Sequence, residues 1–201
     1  MTTRPAFVEG TADVADSAVI GDGSKIWHYA QVREDARIGV DSIVGRGAYI
    51  GTGVVMGDGC KVQNYALVYE PAHLGDGVFI GPAAVLTNDH FPRAINSDGT
   101  PKSAHDWEPV GVTILEGASI GASATCVAPI TIGRWALVGA GSVVIKDVPD
   151  FALVVGSPAR RVGWVGKAGV PLVEEDGGAW RCPQSGDRYV ESDGALREAD
   201  A

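Results

Sequence analysis

The chain is 201 residues long, 45% hydrophobic and 20% charged, with 28 glycines, 11 prolines and a formal net charge of -9. Glycine at roughly twice its average share, without matching proline, excludes a collagen or low-complexity chain, and the hydrophobic share excludes a disordered one. No apolar run approaches the roughly 18 residues of a membrane span. The opening MTTRPAFVEG has no apolar stretch behind a basic start, so a cytoplasmic protein without membrane contact is expected.

The charge is unevenly spread. Positions 171–201 carry eight acids and three bases, whereas positions 134–167 carry five bases and two acids. No nucleic-acid partner is expected of such a chain, but the basic segment suits a small polyanion. Cys60, Cys126 and Cys182 are odd in number and far apart, which argues against a disulfide framework.

From the N-terminus onward one period dominates. Stepping by six from Val8 gives Val14, Ile20, Ile26, Val32, Ile38 and so on to Leu86, fourteen positions that are all aliphatic or Met. A small or modest residue stands two places before most of them (Ala12, Ala18, Ser24, Ala30), and glycine often follows directly (Gly21, Gly39, Gly45, Gly51). Six is neither helical spacing nor plain alternation. It suits short strands wound into a coil, with a large apolar residue inward from each strand and a small one at each corner. Gly or Asp then takes the turns where φ is positive. Coils stacked at strand spacing, about 4.8 Å, bond backbone to backbone. The expectation is a parallel β-helix.

The period breaks after Leu86 and resumes at Ile114, Ile120, Cys126, Ile132, Val138 and Val144. About 22 residues therefore leave the coil as a protruding loop (87–112), and a loop that long inside a compact repeat is usually functional. Cys60 and Cys126 fall on repeat positions and read as core residues. The repeat ends near Gly166. Residues 1–166 read as the β-helix and 167–201 as a short C-terminal extension, a tail or hairpin capping the last coil. Cys182-Pro183-Gln184-Ser185-Gly186 has half the form of a zinc knuckle, but the chain holds no second cysteine pair, so no metal is expected.

Taken together, the hexapeptides over residues 8–160 resemble the left-handed β-helix acyltransferases. The resemblance implies an all-β, left-handed parallel β-helix with 18 residues per coil and six to seven coils. It also implies a homotrimer with active sites between subunits. The segments IWHYAQV, VQNYALVYEP and TNDHFPRA are similar to those of bacterial sugar-nucleotide 3-N-acetyltransferases, such as those acting on UDP-2-acetamido-3-amino-2,3-dideoxy-glucuronate. That similarity implies transfer from acetyl-CoA to the 3-amino group of a UDP- or dTDP-linked amino sugar, within lipopolysaccharide or related glycan biosynthesis.

Acetyl transfer to an amine needs a neutral amine, a polarised thioester carbonyl and a dry site. A thioester is reactive enough for positioning to supply much of the rate. The similarity places Asn88 at the active site, where its amide can accept a hydrogen bond from the attacking amine. Its other reading is an Asx turn with Asp89 opening the loop. With 18 residues per coil, Glu70 falls in the same column as Asn88 and can accept a proton. His28 and His90 are the histidines placed to act as bases, while His73 and His105 read as surface residues. Asp89, Arg93 and Tyr69 are candidates for substrate binding, Arg93 through its planar fork. Gly139, Lys146, Gly156, Pro158, Arg160 and Arg161 are candidates for holding coenzyme A, the cations facing its phosphates and the glycines letting the chain turn closely over its pantetheine arm. An O-acetyltransferase and a non-catalytic assembly subunit are the competing readings. A metal hydratase on the same scaffold needs two histidines five residues apart, a spacing absent here.

Overall fold

The computed structural model describes residues 4–199. Two- and three-residue strands recur every six residues and assemble three sheets of nine, seven and six strands, with a separate four-stranded sheet at the C-terminal end. Within the three large sheets the coil-to-coil pairing is parallel and advances by 18. On the first face Phe7 pairs with Lys25, Lys25 with Ile43 and Ile43 with Lys61. The second face runs through Gln31, Tyr49 and Leu67, and the third through Arg37, Val55 and His73. The molecule is a parallel β-helix. The first face carries eight such strands, from Phe7–Val8 to Ala152–Gly156, so seven coil spacings span about 34 Å.

The core follows from the period. Ile26, Val44, Val62 and Ile80 stack inward from the first face, and Val32, Ile50, Val68 and Leu86 from the second, all essentially inaccessible to solvent. Each such side chain stabilises the fold by about 1.5–3 kcal/mol. The small corner residues Ala30, Ala48, Ala66 and Ala84 are equally buried. Where a corner holds serine, the hydroxyl serves the next coil: the Ser42 N–H donates to Ser24 Oγ at 2.8 Å and the Cys60 N–H to Ser42 Oγ at 3.0 Å. Cys60 and Cys126 are core residues, and desolvation pushes the Cys126 thiol up to about 12. Gly121 is required by close approach, since a Cβ there would overlap the Ala140 nitrogen and lie 2.7 Å from the Gly139 carbonyl carbon.

Two interruptions alter the register. His73 pairs with Thr113 and Val85 with Thr125, a step of 40 that places the 22 extra residues between Val85–Leu86 and Val112–Ile114. At the far end Leu137 pairs with Leu153 and Ile132 with Val148, a step of 16, so the corner after Val144 is two residues short. The chain then reverses in an antiparallel hairpin, Ala152–Gly156 with Ala159–Trp164. Beyond it, Val173–Glu174, Ala179–Arg181, Arg188–Ser192 and Ala195–Glu198 form an antiparallel meander. The segment read as a tail or hairpin therefore has four strands. Its buried Leu172, Cys182, Tyr189 and Leu196 join the core of the last coil, where Tyr189 packs edge-on against Phe151 at 5.3 Å.

Candidate functional site

The register assembles a column of residues along the corner between the second and third faces. Val14, Val32, Ile50, Val68, Leu86, Cys126 and Val144 are successive partners. Two places after each stand Asp16, Glu34, Thr52, Glu70, Asn88, Ala128 and Lys146. Glu70 and Asn88 thus occupy neighbouring coils of one corner, and Lys146 lies two coils beyond Asn88, about 10 Å along the axis.

Asn88 forms the neck of the protruding loop. Its carbonyl accepts the Val110 N–H at 3.0 Å, closing the loop base, while Thr87 Oγ1 accepts the Ala128 N–H at 3.0 Å. The turn role belongs to the next residue, whose Oδ1 accepts the Phe91 N–H at 2.8 Å. Further along, Lys102 donates from its backbone to Ala94 and Ile95 bridges Pro101, so the loop is ordered by its own hydrogen bonds. The loop encloses a pocket of about 410 Å³ lined by Asp89, His90, Phe91, Lys102, Asp106, Trp107, Glu108 and Val110. Three carboxylates face one lysine there. By formal charge the lining is therefore net acidic, and the Ser103 hydroxyl and backbone N–H hold the Asp106 carboxyl below the usual carboxylate range. Arg93 lies outside that lining, exposed, with its Nη1 donating to the Pro92 carbonyl at 2.9 Å.

Glu70 does not face Asn88. Its carboxylate folds back over Gly51 of the preceding coil, and Oε2 is buried without a hydrogen-bond partner among the described residues. Tyr69 is half-buried, its ring 5.0 Å from that of Tyr49. His28 stands on another corner, between the first and second faces, three coils before Asn88. There its Nδ1 lies 3.2 Å from Thr11 Oγ1 and 3.3 Å from Glu9 Oε1. Within one chain the two histidines are therefore far apart, and only His90 lines the loop pocket.

A second pocket, of about 250 Å³, gathers Lys146, Arg160 and Arg161 with Val144, Asp147 and Val154. The two-residue shortening draws the corner of Lys146 toward the hairpin that carries both arginines. Arg161 is held in place: its guanidinium lies 4.0 Å over the Trp164 ring and donates to Glu191 Oε1 at 3.1 Å. Glu191 also accepts from Trp164 Nε1 at 2.9 Å and Trp180 Nε1 at 3.1 Å. The Trp164 hydrogen bond, helped by Arg161, keeps the Glu191 carboxyl below its ordinary range. Gly139 packs beneath Val155, while Gly156 and Pro158 sit at the exposed tip of the hairpin. The residues not anticipated from the sequence are Trp107, Lys102, Asp106 and Glu191. The first three lie in a segment without period, and Glu191 lies 30 positions from the arginine it holds.

The bacterial transferase hexapeptide model (six repeats) matches residues 17–52 and 53–88, and the hexapeptide repeat of succinyl-transferase matches residues 111–146. The gap between them is the loop. The dTDP-3-amino-3,6-dideoxy-alpha-D-galactopyranose 3-N-acetyltransferase of Aneurinibacillus thermoaerophilus is 46% identical over 92 residues, 45% of this chain and 47% of that protein. The serine acetyltransferase of Escherichia coli K12 is 42% identical over 87 residues, 43% of this chain and 31% of that one. The chain thus spans less than half the length of these curated relatives. Among solved structures, a hexapeptide-repeat acetyltransferase of Vibrio cholerae O1 biovar eltor, complexed with acetyl coenzyme A, is similar with a TM-score of 0.52. It is 25% identical, over 62% of this chain and 68% of that one.

Proposed function

Since the chain belongs to the hexapeptide-repeat family of bacterial transferases, we propose that it transfers acetyl from acetyl-CoA to the 3-amino group of a nucleotide-linked amino sugar. The observation that carries this reading is a pair of pockets with opposite charge on one side of the coil. The acidic, aromatic loop pocket beside Asn88 suits an ammonium on a sugar ring. Lys146, Arg160 and Arg161, two coils on, suit the phosphates of coenzyme A. The 46% identity to an amino-sugar 3-N-acetyltransferase supports the same assignment.

In this mechanism the bound ammonium first gives one proton to His90 or solvent, the neutral amine nitrogen attacks the thioester carbonyl carbon, the C–S bond breaks, and the departing thiolate takes up the second proton lost by nitrogen. Asn88 aligns the amine, and its contribution is positional. Asp89 and His90 line the acceptor pocket, with Arg93 and Tyr69 at its approaches, and His90 is the histidine within reach of a proton there. Glu70 shapes the corner beneath Asn88. Gly139, Gly156 and Pro158 set the path of the pantetheine arm. The working form is a homotrimer with sites between subunits, the pathway is bacterial surface glycan synthesis and the compartment is the cytoplasm. The similarity to a serine acetyltransferase favours one competing reading, O-acetylation, which needs a base more.

The test mixes protein with acetyl-CoA and 3-amino sugars linked to dTDP or UDP, then with their 3-hydroxy counterparts. Thiol release with the amino sugars alone is expected, with the Michaelis constant for acetyl-CoA raised about tenfold in Lys146→Ala. Release only with the hydroxy sugars, or none from a folded protein, overturns the assignment.

A further inference from the structure

The corner joining the first and second faces carries an exposed stack that neither the core nor the loop explains. Successive coils place Tyr29, Gly47 and Tyr65 at one turn position, with φ of 59°, 63° and 59°. Glycine adopts that left-handed region freely, whereas a bulky L-residue is strained there. Burial does not offset the strain, because Tyr29 is 59% and Tyr65 57% exposed. Asp35, Asp41, Ala83, Ser123 and Trp135 take the same left-handed conformation at other turns of the coil, so what sets this stack apart is the pair of large exposed rings rather than the turn.

Between the rings lies Arg46. Its guanidinium carbon is 4.8 Å from the Tyr29 ring centroid, and Nε donates to the Tyr65 hydroxyl at 3.2 Å. The Tyr65 ring lies over Gly47, where a Cβ would come within 2.6 Å of a ring carbon, so glycine there makes room for it. No carboxylate lies within ion-pair distance of Arg46 among the described residues. Two aromatic faces and a guanidinium with unused donors are thus presented together. The second face, six residues wide or about 20 Å, leads from this stack to the corner of Glu70 and Asn88, with Tyr49 outward along the way.

We propose that Tyr29, Arg46 and Tyr65 bind the nucleoside diphosphate of the acceptor, the base stacking on an exposed tyrosine ring and the phosphates pairing with Arg46. The proposal rests on the reading of the acceptor as a nucleotide-linked sugar. Stacking suits any base, and a guanidinium fork suits phosphate oxygens. Coenzyme A also carries a nucleotide, but its candidate pocket lies four coils from Arg46, about 19 Å along the axis.

The experiment measures binding of dTDP, UDP and adenosine 3′,5′-bisphosphate by calorimetry to the wild-type protein, Tyr65→Gly and Arg46→Gln. Tyr65→Gly removes the ring and relieves the turn, so its Tm should not fall, which separates lost binding from lost folding. Affinity for dTDP or UDP is expected to drop roughly tenfold or more in both variants, with adenosine 3′,5′-bisphosphate unaffected. Unchanged pyrimidine-nucleotide affinity, no such binding by the wild type, or a loss confined to the adenosine ligand overturns the proposal. Thiol release is read separately. Turnover with unchanged nucleotide affinity sinks the stack and leaves acetyl transfer standing; stack-dependent binding without turnover does the reverse.

Discussion

Replacing Glu70 with Asn separates what the corner needs for folding from what the chemistry needs. Asp58, Asn64 and Asp76 each stand 19 places after a glycine and fold over it. Each accepts the backbone N–H that follows that glycine, from Val40 at 2.8 Å, Arg46 at 2.9 Å and Asp58 at 2.8 Å. Glu70 stands 19 places after Gly51 and folds the same way, but its side chain is one carbon longer and Oε2 is left buried without a partner. Asparagine at 70 has the reach of Asn64, so its carbonyl should accept the Thr52 N–H. An unpaired buried acceptor costs about 1–3 kcal/mol and an ordinary hydrogen bond contributes about 1 kcal/mol. With part of this lost to relaxation, a net gain of about 1–3 kcal/mol is expected. For a chain of this size each kcal/mol moves Tm by about 2–4 °C, so Glu70→Asn should melt roughly 2–12 °C higher. The assay is thermal unfolding followed by circular dichroism, with Glu70→Gln as a control that keeps the excess length and should not gain. A Glu70→Asn midpoint at or below wild type would refute the corner argument. Turnover of the same variant shows the catalytic demand: a fall in kcat assigns Glu70 to the reaction, and an unchanged kcat removes it.

Asn88→Ala should lower kcat about 10²-fold with little change in acetyl-CoA affinity, the scale of losing one positioning contact; losses larger at His90→Ala than at Asn88→Ala, in steady-state kinetics, would favour a general base. Gly121→Ala pushes a methyl group into the backbone of the next coil, so destabilisation of about 1–3 kcal/mol is expected in denaturant unfolding, and wild-type stability would contradict the coil spacing. Glu191 has a folded pKa below its ordinary value of 4.5. Its stabilisation is therefore present above about pH 4.5 and lost as pH falls through the lower folded value. Glu191→Gln should flatten that part of the stability profile, measured by Tm across acid buffers, and should raise the Michaelis constant for acetyl-CoA by releasing Arg161.

Local sterics explain why so much of the architecture was readable. A period of six with aliphatic, small and glycine positions admits only strands too short to stand alone, so the chain must coil and stack. The loop between Leu86 and Val112, the burial of Cys60 and Cys126 and the shared corner of Glu70 and Asn88 all follow from counting residues against that period. Counting stops where the chain leaves it. The two-residue shortening after Val144 brings Lys146 beside Arg160 and Arg161, and no pattern in the sequence announces it. The loop pocket rests on Asp89, Asp106 and Trp107, which no repeat relates.

The six-residue period dictates the β-helix and the point where the loop departs, because each depends on neighbours six or 18 residues away; the final strand of the first face, Ala152–Gly156, lies off that period. Folding in three dimensions adds that the Glu70 carboxylate turns from Asn88 toward Gly51 and that Glu191 holds Arg161. It also sets Arg46 between two exposed tyrosines. Periodicity specifies which residues share a column; side-chain length and the packing of the coils above and below specify where each one points.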